Sequence, residues 1–295
     1  MKILSSFKPA EILTLTFILF LILISSLFYK AIPKARTLIL LYPSLFLVQL
    51  ILARSSELSK RSRTMDMIRS VFFPVAVVLI IFDSLELIIH SINPEDIDPI
   101  LIRLDYLIFR GYPTVMLESV QHPLLTDLLQ VAYSTYYFLP VSFGLILKLQ
   151  GREEAFDRSV FLILLCFYLS YVGYILFPAL GPRHVMHHLQ SKEIEGLFLA
   201  EPIQRTLNTL EGIKRDAFPS GHTAVALVVS VLAHRFSRGY FFVTAPIIAL
   251  LVFSTVYCRY HYAVDVLGGM FLMFITFFIG DHYYDYWQAR NHTHH

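Results

Sequence analysis

The sequence predicts an all-α integral membrane protein with about eight transmembrane helices, on three observations. Over 295 residues it is 56% hydrophobic and only 16% charged, where soluble domains carry roughly a quarter charged residues. Its mean hydropathy is +0.61. The charges fall between apolar runs, most of them close to the roughly 20 residues needed to cross a hydrocarbon layer. A net charge of +2 without a basic patch argues against a nucleic-acid partner.

The runs follow in order. Lys2 and Lys8 precede the first, at 11–29, and no small-residue cleavage site follows "LFLILISSLFYK", so it reads as an uncleaved helix. Others are expected at 37–53, 71–91, 124–148, 158–178, 221–236, 240–258 and 262–280. Residues 1–70 form an N-terminal helix pair with a basic loop, 71–285 a membrane core, and 286–295 a polar tail. Two polar connections interrupt the runs. The first, about 92–123, mixes apolar residues with charges and prolines and suits short interfacial helices. The second, about 179–220, carries "GPRHVMHH" and "GIKRDAFPSGH".

Lysine and arginine set the orientation. One set of loops holds Arg54, Lys60, Arg61, Arg63 and Arg69, then Lys148, Arg152 and Arg158, then Arg235 and Arg238. This places them in the cytoplasm and the two long connections on the other face, although Lys30, Lys34 and Arg36 oppose it. By helix parity the 179–220 connection and the turn at 259–261 share a face. Cys166 and Cys258 match no metal or redox spacing and read as buried small apolar residues.

Three polar clusters fall on that shared face: Arg183 in "LFPALGPRH"; Ser220, Gly221 and His222 in "FPSGH"; and His261 with Asp265 in "STVYCRYHYAVDVLGG". Pro219 and Ser220 read as a helix start with Ser220 as N-cap, presenting unpaired amides that suit an anion. His261 and Asp265 are four apart, which puts an imidazole and a carboxylate on one helix face. A neutral imidazole is a competent nucleophile near neutral pH, and a second can deliver a proton to a leaving group. Arginine offers a planar fork to phosphate oxygens. His184, His187 and His188 lack a carboxylate at metal-ligand spacing, so no metal site and no cofactor are expected.

"FPSGH" and "YHYAVDVLGG" give the chain a resemblance, over roughly residues 100–280, to the type 2 phosphatidic acid phosphatase and vanadium haloperoxidase superfamily. The resemblance implies a six-helix core behind two added N-terminal helices. It implies His261 as a nucleophile forming a phosphohistidine, Asp265 as its orienting acid and His222 as general acid. Arg183, Ser220 and the Gly221 amide would hold the phosphoryl oxygens. Two departures stand out. The arginine of the first motif follows proline, in "GPR", and Ser254-Thr255 stands where the third motif has Ser-Arg. Arg259, Lys214 or Arg215 is therefore expected to supply the missing charge. "HYAVDV", "GPR" and "DYLIFRGYPTVMLE" resemble the branch of inositol phosphorylceramide and sphingomyelin synthases. The expected function is a lipid-phosphate phosphatase, with a headgroup phosphotransferase as the alternative and a lipid-binding or transport protein as the rival outside enzymology. Its partners are then the membrane and a lipid phosphate, with the active site on the non-cytoplasmic face.

Overall fold

A computed structural model describes residues 7–55, 62–210 and 212–292; Lys2, Lys60 and Arg61 lie outside these. The described residues are helical, without strands. Among the described residues, six helices are long and apolar enough to cross a membrane: α1 (Pro9–Leu27), α2 (Ala35–Arg54), α3 (Arg63–Ser84), and three that follow below. After α3 come α4 (Glu86–Ile92), α5 (Asp98–Phe109), α6 (Pro123–Ser134), α7 (Leu139–Leu149) and α8 (Glu153–Leu176). The chain continues through α9 (Ala200–Leu210), α10 (Gly221–Phe236), α11 (Arg238–Tyr257) and α12 (Ala263–His292). The other three long spans are α8, α11 and α12, while α7 and α10 are shorter apolar helices.

Three expected boundaries move, for local reasons. The third span begins at Arg63 rather than 71 and carries a π-helical turn at Ile68–Phe72, just before Pro74. That turn absorbs the register change imposed by a residue without an N–H. The fourth run is not one helix. Ser134 and Thr135 turn their hydroxyls back onto the carbonyls of Val131 and Ala132, a 3-10 turn follows, and Pro140 opens α7. The last helix continues to His292, so most of the expected polar tail is helical.

The core forms around α8, which packs against α1, α7, α10 and α12. It is the most buried of the long spans and apolar on all sides, as a central helix must be. Both cysteines are buried and unbridged. Beside α8, α10 is only 16 residues long because its N-terminus starts inside the protein. Gly269 of α12 permits this, since a Cβ there would collide with the Ser220 carbonyl and Thr223.

Ion pairs fasten the end of the bundle opposite the start of α10. Arg69 of α3 donates from Nε and Nη2 to Glu11 of α1 at 2.6 and 2.8 Å, with both side chains buried. Lys8 meets Asp157 at 2.7 Å, Lys148 meets Asp66 at 2.7 Å, and Arg158 and Arg235 converge on Asp281. Removing one member of a buried pair leaves an uncompensated charge, at a cost of about 3–5 kcal/mol. Glu11→Ala is therefore expected to lower the thermal unfolding midpoint in detergent markedly. The double change Glu11→Leu with Arg69→Leu should be milder, and equal losses would show that packing, not charge, joins α1 to α3.

Candidate active site

The site grows from how the interfacial segment 98–127 holds the loops above the bundle. Asp98, at the start of α5, accepts the Leu180 and Gly181 amides at 2.9 Å each and the Tyr262 hydroxyl at 2.8 Å. Two turns further on, Asp105 accepts the Ala263 and Val264 amides at 3.1 and 2.8 Å, capping α12. One short helix thus grips both the loop that carries Arg183 and the helix start that follows His261. Gly181 is needed between them: its φ is +87°, and a Cβ would strike the Tyr260 carbonyl.

The turn from α11 to α12 is closed by the Thr255 carbonyl, which accepts both the Tyr260 and His261 amides at 2.9 Å. Arg259 takes a left-handed conformation (φ 61°) in this turn, and its carbonyl accepts the Arg183 amide at 3.0 Å. The 179–220 connection and this turn therefore meet on one face, as helix parity requires. Ser220 caps α10 as expected, its Oγ accepting the Thr223 amide at 3.2 Å, and its own amide donates to the Asp265 carbonyl at 3.1 Å.

These constraints bring His222 and His261 together. His261 Nε2 and His222 Nδ1 are 3.4 Å apart, and both residues are buried. His261 Nδ1 lies 2.7 Å from the Ala217 carbonyl. A carbonyl only accepts, so Nδ1 carries the proton and the lone pair is on Nε2, facing His222. Asp265 is less direct than its spacing suggests, because His261 precedes α12 instead of lying on it. Asp265 Oδ2 is 3.6 Å from His261 Nδ1 and accepts the Tyr262 amide at 2.7 Å. The carboxylate holds the turn, and the carbonyl orients the ring.

Aromatic residues wall the pair. Tyr133 stacks on His222 at 4.6 Å and on Tyr260 at 4.2 Å, and Tyr136 lies 4.2 Å from His222. The Arg183 guanidinium sits over the Tyr260 ring, 4.8 Å from its centre. Burial pushes the His261 imidazole down to about 4, with Arg183 adding to the shift and Asp216 and the Ala217 carbonyl opposing it.

The other expected phosphate-binding cations point elsewhere. Arg259 donates from Nη2 to Glu118 at 2.7 Å and to the Lys192 carbonyl at 2.7 Å, and from Nη1 to Gln190 at 3.2 Å. Arg215 pairs with Asp96 at 2.8 Å and Glu86 at 3.2 Å, and Lys214 is exposed. Thr255 donates to the Val252 carbonyl at 2.7 Å and is fully buried. Of the cations singled out in the sequence, Arg183 is the one beside the imidazoles. Gly221 has no room for a Cβ because the Tyr174 hydroxyl sits against it.

Sequence reasoning missed Tyr133, Tyr136, Asp98, Asp105 and Asp216. The aromatic pairs in "YSTYY" were a usable signal; the acids, as single residues in a polar connection, gave none.

A family profile described as the PAP2 superfamily matches residues 101–279. A PA-phosphatase related-family protein of Dictyostelium discoideum is 28% identical over 99 residues, covering 32% of this chain and 18% of that protein. The inositol phosphorylceramide synthase catalytic subunit of Schizosaccharomyces pombe is 26% identical over 237 residues, covering 72% of this chain and 54% of its own length. The chain thus spans less than two thirds of each relative. No solved structure matches it.

Because His261 is neutral when folded, its contribution to stability is complete above its unfolded value near 6.5 and is lost as pH falls toward 4. At pH 4 the loss amounts to about 3 kcal/mol. The unfolding midpoint should drop more steeply between pH 6.5 and 4.5 in the wild type than in His261→Gln. Parallel curves would mean that the imidazole is not held neutral by burial.

Proposed function

Because the chain belongs to the PAP2 superfamily, we propose that it is a membrane lipid-phosphate phosphatase that cleaves its phosphoester through a phosphohistidine on His261. The observation that carries this reading is the Nδ1–H of His261 held by the Ala217 carbonyl, with Nε2 left as a lone pair 3.4 Å from His222. A phosphoryl group enters between the two nitrogens, with Arg183 taking its oxygens. His261 Nε2 attacks phosphorus as the bond to the lipid oxygen breaks. His222, protonated once the phosphate is beside it, gives that proton to the leaving oxygen. Water then attacks phosphorus, the P–N bond breaks, and His222 takes the proton from the water. Phosphate leaves and both imidazoles are regenerated. Asp265 supports the step by fixing the turn, and Ser220 by capping the helix.

Phosphotransfer is the second reading, favoured by the match along 237 residues to an inositol phosphorylceramide synthase subunit. The chemistry differs only in the second step, where a lipid or inositol hydroxyl replaces water. With a phosphodiester donor the product is then a new diester. Labelled lipid phosphates and phosphodiesters incubated with and without alcohol acceptors separate the two: free phosphate marks the phosphatase and a new diester the transferase. In either reading the active site faces away from the cytoplasm. The clustered Arg54, Arg63 and Arg69, Lys148, Arg152 and Arg158, and Arg235 and Arg238 support this from the opposite end of the bundle.

His261→Ala is expected to abolish turnover and acid-labile phosphoenzyme; more than a few per cent of wild-type activity at normal protein levels would rule out His261 as nucleophile. His222→Ala should cost less on nitrophenyl phosphate than on an alkyl phosphate, since a phenolate leaves without a proton. Equal losses would remove the general-acid role.

Arg183→Met is expected to lower kcat/KM by roughly ten- to a hundredfold, the effect of losing one charge-assisted contact. Arg215→Met should leave kcat/KM near wild type, because its charge is directed to Asp96 and Glu86. The opposite ranking would move the phosphate to the 214–215 loop.

A further inference from the structure

A long cavity starts at His222 and runs away from it into the membrane. His222 and Asp216 line its head, Ser70 and Phe156 its foot, and α3, α7 and α8 its walls. His222 Nε2, buried and without a hydrogen-bond partner among the described residues, belongs to a ring at that head. On α8 the lining recurs on one face from Tyr174 down to Phe156. That is 18 residues, or roughly 27 Å of helix, against a hydrocarbon layer of about 30 Å. The wall is overwhelmingly apolar, and the Tyr171 hydroxyl is satisfied by the Val78 carbonyl at 3.0 Å. Below the foot lies a small second cavity lined by Lys8, Glu11, Arg69 and Asp157, a charged floor that an alkyl chain does not enter.

We propose that the substrate carries one long hydrocarbon chain, which threads this groove from the phosphate at His222 to the floor at Ser70, and that α3 sets the chain length accepted. The proposal rests on the phosphoester reading above and narrows its substrate class to single-chain, long lipid phosphates. Two features select one chain. About 120 Å³ is open to the centres of water-sized molecules, and over roughly 27 Å that leaves a passage one chain wide. A chain anchored at one membrane face and confined to its own leaflet ends near the midplane, about 15 Å in, whereas this groove continues well past it. A third of the lining residues belong to α3, outside the matched family region 101–279. The added N-terminal part thus shapes the groove together with α7 and α8, apart from the phosphate site.

A groove inside a membrane gains little from burying a chain already in lipid, so selectivity rests on fit. Gly144 lies on the wall, where a Cβ would meet Phe156 at 3.4 Å, ordinary contact, and a longer side chain would project into the passage. Gly144→Leu and Val78→Phe are the two plugs. The assay compares kcat/KM for nitrophenyl phosphate, a short alkyl phosphate, long single-chain alkyl and isoprenyl phosphates, and a diacyl phosphatidic acid. The wild type should prefer the long single chains to the diacyl lipid. Each plug should lower kcat/KM on the long chains by roughly tenfold, in keeping with overpacking by one side chain, and leave nitrophenyl phosphate and the short chain unchanged. Unchanged long-chain turnover in both plugs, or a diacyl substrate preferred and equally sensitive, overturns the proposal.

A second measurement does not need turnover. In His261→Ala, a long alkyl phosphate with a photoreactive group at its chain terminus should crosslink near Ser70 and Phe156, and one with the group beside the phosphate should crosslink near Tyr174. Terminal crosslinks confined to the outer ends of the helices overturn the groove assignment even where phosphoester cleavage is established. Foot crosslinks together with a wild type that cleaves no phosphoester retain the groove and reject the chemistry.

Discussion

Buried carboxylates holding backbone amides are the constraint on which the catalytic face depends. Asp98, Asp105, Glu118 and Asp127 all come from one stretch of thirty residues. They accept amides from Leu180 and Gly181, Ala263 and Val264, Ser191, and Leu197 to Ala200 respectively. An irregular loop at the membrane surface has amides that no helix satisfies, and an unpaired buried amide costs about 1–3 kcal/mol. Carboxylates meet that need one to four amides at a time, and each such contact also fixes a loop in space. Of these four carboxylates, Asp98 and Asp105 fix the loops that carry Arg183 and follow His261.

This arrangement also governs the electrostatics. Carboxylates near a phosphate site would repel the substrate if their charges faced it, but those of Asp98, Asp105, Glu118 and Asp127 are turned to amides and to Arg259. Arg215 is likewise held by Asp96 and Glu86. What remains to attract a phosphate is Arg183 on Tyr260, since the Thr223 amide is taken by Ser220 Oγ and the Tyr174 hydroxyl sits against Gly221. A single guanidinium stacked on an aromatic ladder that ends at His222 joins the proposed binding charge to the proposed proton donor through two rings. The missing arginine at Thr255 is compatible with this economy, because the turn there is closed by the Thr255 carbonyl rather than by a side chain.

The two ends of the bundle are built differently. The end opposite the site is tied by side-chain ion pairs between helix termini, whereas the catalytic end is tied by side chain to backbone bonds. Ion pairs tolerate some play between long side chains, and a carboxylate on two adjacent amides does not. The backbone-fixing bonds are concentrated around the two imidazoles, whose facing nitrogens lie 3.4 Å apart.

Much of this was legible in the sequence because it is local. Hydropathy marks a helix wherever backbone groups must be satisfied within one segment, so the α-helical membrane class and the spans at α1, α2, α8, α11 and α12 follow from composition and length. Ser220 as N-cap follows from residues three apart, and the shared face of Arg183 and His261 from counting crossings. What the tertiary structure decided is long-range. Asp98 reaches Gly181 across 83 residues and Asp105 reaches Val264 across 159, pairings that no spacing rule contains. The same holds for the ring orientation of His261. Its four-residue interval to Asp265 suggested the carboxylate, but the chain is not helical until Ala263, and the Ala217 carbonyl, 44 positions upstream, takes the proton instead. Periodicity describes residues on one helix; which acceptor meets which donor across the fold is set only when the helices pack.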